Sequence, residues 1–231
     1  MKQEPVKLTE TVIKIGGSIT EKGTPEDLRA LGKILRDCFQ VKANFVVIPG
    51  GGEFAETVRD VQQKFQFDDE QAHWMAILAM EQQGFLLNYF VPQSQLINYP
   101  REFQQKAKEL LNTRTIPILK IWDYMQTRSS LPHDWSATSD AITTEIAQAI
   151  KAKNIIFVKD VDGVRVNKQI KKEITVTELQ NLEKSPLDPL TPKIMKRNKC
   201  QAIILNGFYP MRLKKILIEN NYTIPHTRII H

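Results

Sequence analysis

A short β-branched strand that runs into a glycine turn and then a helix occurs twice near the start of the chain. This doubling restricts the fold more than any other feature. In the first copy Val12, Ile13 and Ile15 end at Gly16, Gly17 and Ser18; in the second Phe45, Val46, Val47 and Ile48 end at Pro49, Gly50, Gly51 and Gly52. Strands that are joined through helices lie parallel, and a parallel sheet needs helices on both faces. The pattern predicts an α/β chain, a three-layer α/β/α sandwich around a mostly parallel sheet.

Lys14 stands inside the first strand. An unpaired ammonium is costly to bury. Gly16 and Gly17 carry no Cβ, so the backbone can turn sharply there and approach a ligand. A cation at a strand end beside two glycines suits a phosphate, and Ser18 adds a hydroxyl. An ordinary strand with a snorkelling lysine fits the same residues, and the stretch alone leaves both readings open.

Thr24-Pro25-Glu26-Asp27 predicts a helix start, with a capping hydroxyl, proline at the first position and acids in the first turn. Leu28, Leu31, Ile34, Leu35, Cys38 and Phe39 then share one face, and Phe54, Val58, Val61 and Phe65 repeat at helical spacing after the second glycine turn. Residues 69–90 form the longest helical pattern; Trp74, Ile77, Leu78, Phe85 and Leu86 give it a broad apolar surface, either core or a subunit interface. Further strands are expected at 94–98, 116–121, within 154–167, at 202–205 and near Ile229. Further helices are expected at 101–111, after Asp140, and near 187–199 and 210–219. A soft boundary between Leu131 and Thr138 divides one domain into an N-lobe (residues 1–131) and a C-lobe (residues 132–231).

The 231 residues carry a net charge of +6, which suits an anionic partner. The basic residues are dispersed rather than blocked, which favours a small phosphorylated molecule over nucleic acid. No apolar run approaches the roughly 18 residues of a membrane helix. The first residues lack the apolar stretch of a signal peptide. Cys38 and Cys200 alone imply neither a disulfide framework nor a zinc cluster. A reducing, cytoplasmic setting without membrane contact is expected.

Neither the GxxxxGK[ST] phosphate loop nor GxGxxG is present. Four other motifs occur in order: Ile13-Lys14-Ile15-Gly16-Gly17-Ser18, Ile48-Pro49-Gly50-Gly51-Gly52-Glu53-Phe54, Thr138-Ser139-Asp140 and Asp160-Val161-Asp162-Gly163-Val164. Over nearly the whole chain this set resembles the amino-acid kinase family, which includes acetylglutamate kinase, aspartokinase and uridylate kinase. Within it the likeness is nearest to the small methanofuran-pathway kinases, which convert (5-(aminomethyl)furan-3-yl)methyl phosphate to its diphosphate. Gly52-Glu53-Phe54-Ala55 running into Arg59, His133-Asp134-Trp135, and Leu205-Asn206-Gly207 followed by Pro210, Arg212 and Leu213 carry that part.

The resemblance implies an ATP-dependent kinase with Mg2+ accompanying ATP and no dedicated metal-ligand residues. It implies that Lys14 neutralises the transferred phosphoryl group and that Asp140 holds this lysine in place. Gly16, Gly17 and Ser18 would seat the ATP phosphates, and Lys159, Asp160, Val161, Asp162 and Gly163 the nucleoside, mainly through backbone. Gly50, Gly51, Gly52 and Phe54 would face the acceptor together with Arg59, Thr138 and Ser139. A homodimer or higher homo-oligomer, built through the 69–90 helix, is also implied.

Several residues have a second reading. Arg59 serves equally as a bidentate phosphate ligand and as a solvated helix charge. Ser136 or Thr138 also fits a helix cap, with Asp140 favouring its dipole, and Asp162-Gly163 a hairpin turn. His133 and Trp135 fit a plain loop and core, or an aromatic wall for a furan, with Glu53 or Asp134 near its amine. Many family members carry a second catalytic lysine in a Gly-Met-x-x-Lys-like segment. Here the late segment is Pro189-Leu190-Thr191-Pro192-Lys193-Ile194-Met195-Lys196, so Lys193 and Lys196 are the candidates. The rival functions are a kinase for a carboxylate or UMP and a non-catalytic nucleotide-binding or storage relative.

Overall fold

The structure is a computed structural model that describes residues 9–41, 43–198 and 200–231. The chain runs β1 (Thr11–Ile15), α1 (Gly17–Lys22), α2 (Pro25–Gln40), β2 (Phe45–Pro49), α3 (Gly52–Phe65), α4 (Asp69–Phe90), β3 (Ser94–Asn98) and α5 (Phe103–Asn112). It continues through β4 (Ile116–Lys120), α6 (Trp122–Thr127), α7 (Ser139–Ala149), β5 (Asn154–Lys159), β6 (Arg165–Val166), β7 (Gln169–Ile170) and β8 (Glu173–Thr175). The last elements are α8 (Val176–Gln180), α9 (Leu190–Asn198), β9 (Gln201–Asn206), α10 (Met211–Leu217) and β10 (Thr227–Ile230).

Eight strands form one sheet in the order β3-β4-β2-β1-β5-β9-β10-β8. The pairings from β3 to β9 are parallel; β10 runs antiparallel to β9 and parallel to β8. Successive side chains in a strand point to opposite faces, and the two cores follow that alternation. Val12, Val46, Ile155 and Phe157 pack with Ala107 of α5, Ile142 of α7 and Met195 of α9. Ile13, Ile15, Val47, Ile156 and Val158 pack with Leu31 and Leu35 of α2 and Leu213 of α10. The chain is therefore the expected three-layer α/β/α sandwich. The sheet also runs across the 131–138 segment, since β1 and β5 are neighbours.

α2 begins where its sequence says. The Thr24 hydroxyl accepts from the Asp27 N–H at 3.2 Å, and the Asp27 carboxylate accepts from the Thr24 N–H at 2.9 Å. This capping box satisfies two of the donors that a helix start leaves without partners.

Three features differ from the sequence pattern. Phe54 and Phe65 are exposed, because α3 packs chiefly on α4 and α1 rather than on the sheet and buries only Gly52 and Val58. Asp162-Gly163 is not a hairpin turn. β6 pairs with β7 instead, and that hairpin turns at Asn167 and Lys168, both with left-handed backbone (φ 50° and 67°). The short elements α1, α6, β8 and α8 have no sequence forecast, since helices of five or six residues and a three-residue strand are too brief to show a period.

Candidate active site

The parallel strands β1, β2 and β5 end on the same side of the sheet, where crevices in open α/β folds take ligands. Two glycine turns meet there. A Cβ on Gly17 would lie 2.5 Å from the backbone nitrogen of Gly52, and Gly52 itself has φ +56°. Only glycine permits that approach and that backbone.

The alternation of β1 aims Lys14 to the same side as Val12, toward α7. Its ammonium is 2.8 Å from Oδ1 of Asp140, and both groups are buried. Asp140 is the second residue of α7, whose start is fixed by the Thr138 hydroxyl accepting the Asp140 N–H at 3.3 Å. Phe157 pairs with Lys14 in register across β1 and β5. Lys159, two residues further, shares that face, and its ammonium lies 2.5 Å from Oδ2 of Asp140. One carboxylate thus holds two ammoniums, one from each of two adjacent strands.

A bracket stands behind this triad. Lys159 also donates to the Pro186 carbonyl at 2.5 Å. Asp188 accepts from the Thr138 hydroxyl, from the Ala141 N–H at 3.1 Å, and from the N–H groups of Leu190 and Thr191 at 3.0 and 2.7 Å. It ties the start of α7 to the start of α9.

Burial lowers the pKa of Lys14, and Lys159 pushes the same way, against the attraction of Asp140. Burial alone would raise the Asp140 carboxyl, but the two ammoniums outweigh it and hold that group below the usual carboxylate range. Burial, then the nearby Asp140, raises the Asp188 carboxyl.

A cavity of about 390 Å³ opens from the triad. Its lining includes Gly16, Gly17, Ser18, Glu21, Lys22 and Asp160. Asp160 accepts from Ser18 at 3.0 Å and from Lys22; although burial opposes it, these donors hold its carboxyl below the ordinary value. Burial and the neighbouring Glu56 raise the Glu21 carboxyl. The lining also includes Ala76, Ile77, Met80 and Ile142, with Arg59 and Trp135. The Arg59 guanidinium lies 3.8 Å over the Trp135 ring and 3.3 Å from Glu56, and the Trp135 indole donates to Gln62 at 2.6 Å.

The cavity brings together Lys14, Gly16, Gly17, Ser18, Gly51, Gly52, Arg59, Thr138, Ser139, Asp140, Lys159 and Asp160. Gly50 stays behind the lining and donates its N–H to the Ile15 carbonyl at 2.8 Å. Phe54 is turned away, because Ala55, Glu56 and Arg59 form the inward face of α3. Val161 packs on the core, and Gly163 sits against Thr227. Asp162 takes Arg212 at 2.5 Å and Asn206 at 3.2 Å, and the Arg212 guanidinium lies 4.3 Å from the Tyr209 ring. Lys193 and Lys196 are exposed and lie outside the cavity lining. Asp134 lines the cavity; Glu53 and His133 do not.

Sequence reading missed the side chain of Lys159, and also Asp188 and His73. His73 lines the cavity, its ring stacked at 4.9 Å on that of His133. Its Nε2 is buried without a hydrogen-bond partner among the described residues, and burial, then His133, lowers its pKa. No spacing in the sequence marks any of the three; each depends on register between distant segments.

The amino acid kinase family model matches residues 9–206. The chain belongs to the amino acid kinase family. This kinase is 27% identical over 223 residues to a [5-(aminomethyl)furan-3-yl]methyl phosphate kinase of Methanocaldococcus jannaschii, covering 95% of this chain and 97% of that protein. It is 25% identical over 228 residues to a uridylate kinase of Methanococcus aeolicus, covering 89% and 94%. Among solved structures, uridylate kinase from Archaeoglobus fulgidus superposes with a TM-score of 0.72 at 20% identity, covering 96% of this kinase and all of that chain. UMP kinase from Ureaplasma parvum gives 0.72 at 16% identity, covering 96% and 99%. The fold is that of the amino acid kinases, and the protein is an ATP-dependent kinase. Among the described residues no helix is long and apolar enough to cross a membrane.

Proposed function

We propose that the kinase transfers the γ-phosphoryl group of ATP to a phosphomonoester and releases a diphosphate, with (5-(aminomethyl)furan-3-yl)methyl phosphate as the acceptor. The observation that carries this reading is Arg59 on the cavity that begins at Lys14, its guanidinium over the Trp135 ring. Arg binds phosphate oxygens bidentately, and a stacked guanidinium is already oriented to do so. The apolar lining from Ala76, Ile77, Met80 and Ile142 suits a small ring. Of the two acids Glu53 and Asp134, Asp134 lines the cavity and would take the acceptor's amine.

The chemistry supports a phosphate acceptor over a plain alcohol. A phosphate oxygen is already anionic and attacks without losing a proton. Asp140, the carboxylate beside Lys14, is committed to two ammoniums and is not free to act as a base. Charge neutralisation and positioning are what such a transfer needs.

Mg2+ fits as an ion carried by ATP. Among the described residues no group of three or more His, Cys, Asp or Glu is placed to hold a metal. Asp160 and Glu21 line the cavity along with the first glycine turn, and Mg2+ takes one or two carboxylates besides substrate phosphates. Bound there, it would neutralise phosphate charge.

In this reading the chain is one catalytic domain, the N-lobe (1–131) supplying the acceptor side and the C-lobe (132–231) the nucleotide side. It works in the cytoplasm as a homo-oligomer joined through α4.

UMP is the second reading, favoured by the uridylate kinases among the relatives. The deciding assay offers ATP with the aminomethylfuran phosphate, its unphosphorylated alcohol, UMP and a carboxylate, and reads ADP release and the 31P spectrum of the product. A diphosphate of the furan is expected. Turnover of UMP alone, or of the unphosphorylated alcohol, overturns the assignment.

A further inference from the structure

The late segment in which a second phosphoryl-stabilising lysine was expected points away from the site: Lys193 and Lys196 are exposed and do not line the cavity. A second ammonium is nevertheless present, from a different part of the chain. Lys159 closes β5, lines the cavity, and sits 2.5 Å from the carboxylate that also holds Lys14.

We propose that Lys159 is the second catalytic lysine of this kinase, donating to an oxygen of the γ-phosphoryl group as it moves between ATP and acceptor. The donor count leaves room for this role. An ammonium has three N–H groups. Lys159 gives one to Asp140 and one to Pro186, so one remains. Lys14 is ion-paired with Asp140 at 2.8 Å, which takes at most one of its three. The γ-phosphoryl group spreads its charge over three oxygens in flight. The two fixed ammoniums therefore keep at least three N–H groups for those oxygens.

The step balances without any proton transfer. The bond from the γ-phosphorus to the β–γ bridging oxygen breaks, and its electron pair stays on ADP. A lone pair on an anionic phosphate oxygen of the acceptor forms the new bond. Total charge is unchanged, so the site needs fixed cations rather than a base. Asp140 sets the spacing of the two cations, and the Pro186 carbonyl aims the second.

The alternative is that Lys159 only neutralises Asp140 and pins the segment from Pro186 to Thr191. The two roles separate in kinetics. A group that acts in the transition state lowers kcat and spares KM, whereas a loosened bracket moves KM and thermal stability as well. Lys159→Met is expected to lower kcat by about 10²–10³-fold while KM for ATP, KM for the acceptor and the melting temperature stay near wild type. Lys193→Met and Lys196→Met are expected to leave kcat unchanged.

Lys159→Cys treated with 2-bromoethylamine restores an ammonium at the same reach. It is expected to recover at least ten-fold in kcat over the untreated variant. The buried Cys38 and Cys200, with thiols at about 11, stay protonated, and Lys159→Met treated in parallel controls for them. A folded Lys159→Met with near-normal kcat overturns the proposal. So does a treated Lys159→Cys that recovers nothing, or a loss of kcat on Lys193→Met as large as that on Lys159→Met. The assay runs with whichever phosphomonoester the wild type accepts, so a wrong acceptor assignment leaves this comparison intact.

Discussion

At the scale of single residues, charge bookkeeping inside the triad separates two variants that look alike on paper. Lys14→Ala leaves one carboxylate facing one ammonium, so the fold should hold while kcat falls about 10²–10³-fold, roughly 3–4 kcal/mol of transition-state stabilisation. A folded Lys14→Ala enzyme with near-normal kcat would remove Lys14 from the mechanism. Asp140→Asn instead leaves two buried ammoniums without the carboxylate that bridges them. It should lose activity and also about 3–5 kcal/mol of stability, read as a shift in the urea midpoint. The pH dependence has opposite signs at the two ends. Lys14 in the folded protein releases its proton below the ordinary 10.5, so kcat should decline at alkaline pH with a midpoint under 10.5. In that window the unfolded chain binds more protons, so stability from this group rises with pH while activity falls. Asp140 is held below the ordinary 3.8, and the stability it contributes is present above 3.8 and lost as pH falls through its folded value. Arg59 tests the acceptor. Arg59→Leu should raise KM for the phosphomonoester about 10- to 100-fold, the loss of one charge-assisted pair at roughly 1.5–3 kcal/mol, with KM for ATP nearly constant. Equal shifts in both constants would mean that Arg59 does not read the acceptor's phosphate.

At the scale of elements, legibility followed burial. β1, β2, β4 and β5 are covered on both faces, so their apolar runs announced them, and the capping residues of α2 fixed its start, whereas α7 had two candidate caps, of which the structure uses Thr138. The glycine turns were legible as ligand-facing, but not as partners of each other. Their contact joins residues far apart in sequence, and only β1–β2 pairing brings Gly17 against Gly52. Lys159 was legible only as backbone for the same reason. Its side chain matters because β1 and β5 pair in a register that sets it beside Lys14, and register is not encoded in either strand alone. α3 misled in the other direction: four apolar residues at helical spacing promise a buried face, yet the helix lies over α4 and leaves Phe54 and Phe65 in solvent. The turn-to-turn contact carries its own prediction. Gly17→Ala puts a Cβ 2.5 Å from the Gly52 nitrogen and forces the two backbones apart. A displacement on the order of 1 Å should cost about 100-fold in kcat/KM, and unchanged kinetics would show that the two turns are not held together in the working enzyme.

At the scale of the whole molecule, the candidate catalytic groups are gathered by one sheet, and helix α4 beside it carries an exposed apolar seam. Met75, Leu78, Phe85 and Tyr89 on α4 are 37%, 44%, 60% and 76% exposed. Together with exposed Gln82 they fall at steps of three and four, the spacing of a helix–helix seam, while Ile77, Met80 and Leu87 face inward. The sequence showed the width of this apolar surface but not its division, because the two stripes overlap in one helix that is apolar nearly all round. A stripe with this period fits another copy of the same helix, since a two-fold pairing sets each seam against itself. The protein should therefore sediment and scatter as a dimer or larger at micromolar concentration. Phe85→Glu places a charge in the centre of the seam and should shift that equilibrium to monomer. The side chain of Phe85 does not line the cavity, so the phosphoryl-transfer chemistry of each monomer should persist. A wild-type protein that stays monomeric at high concentration, or a Phe85→Glu variant as oligomeric as the wild type, would show that α4 does not carry the association.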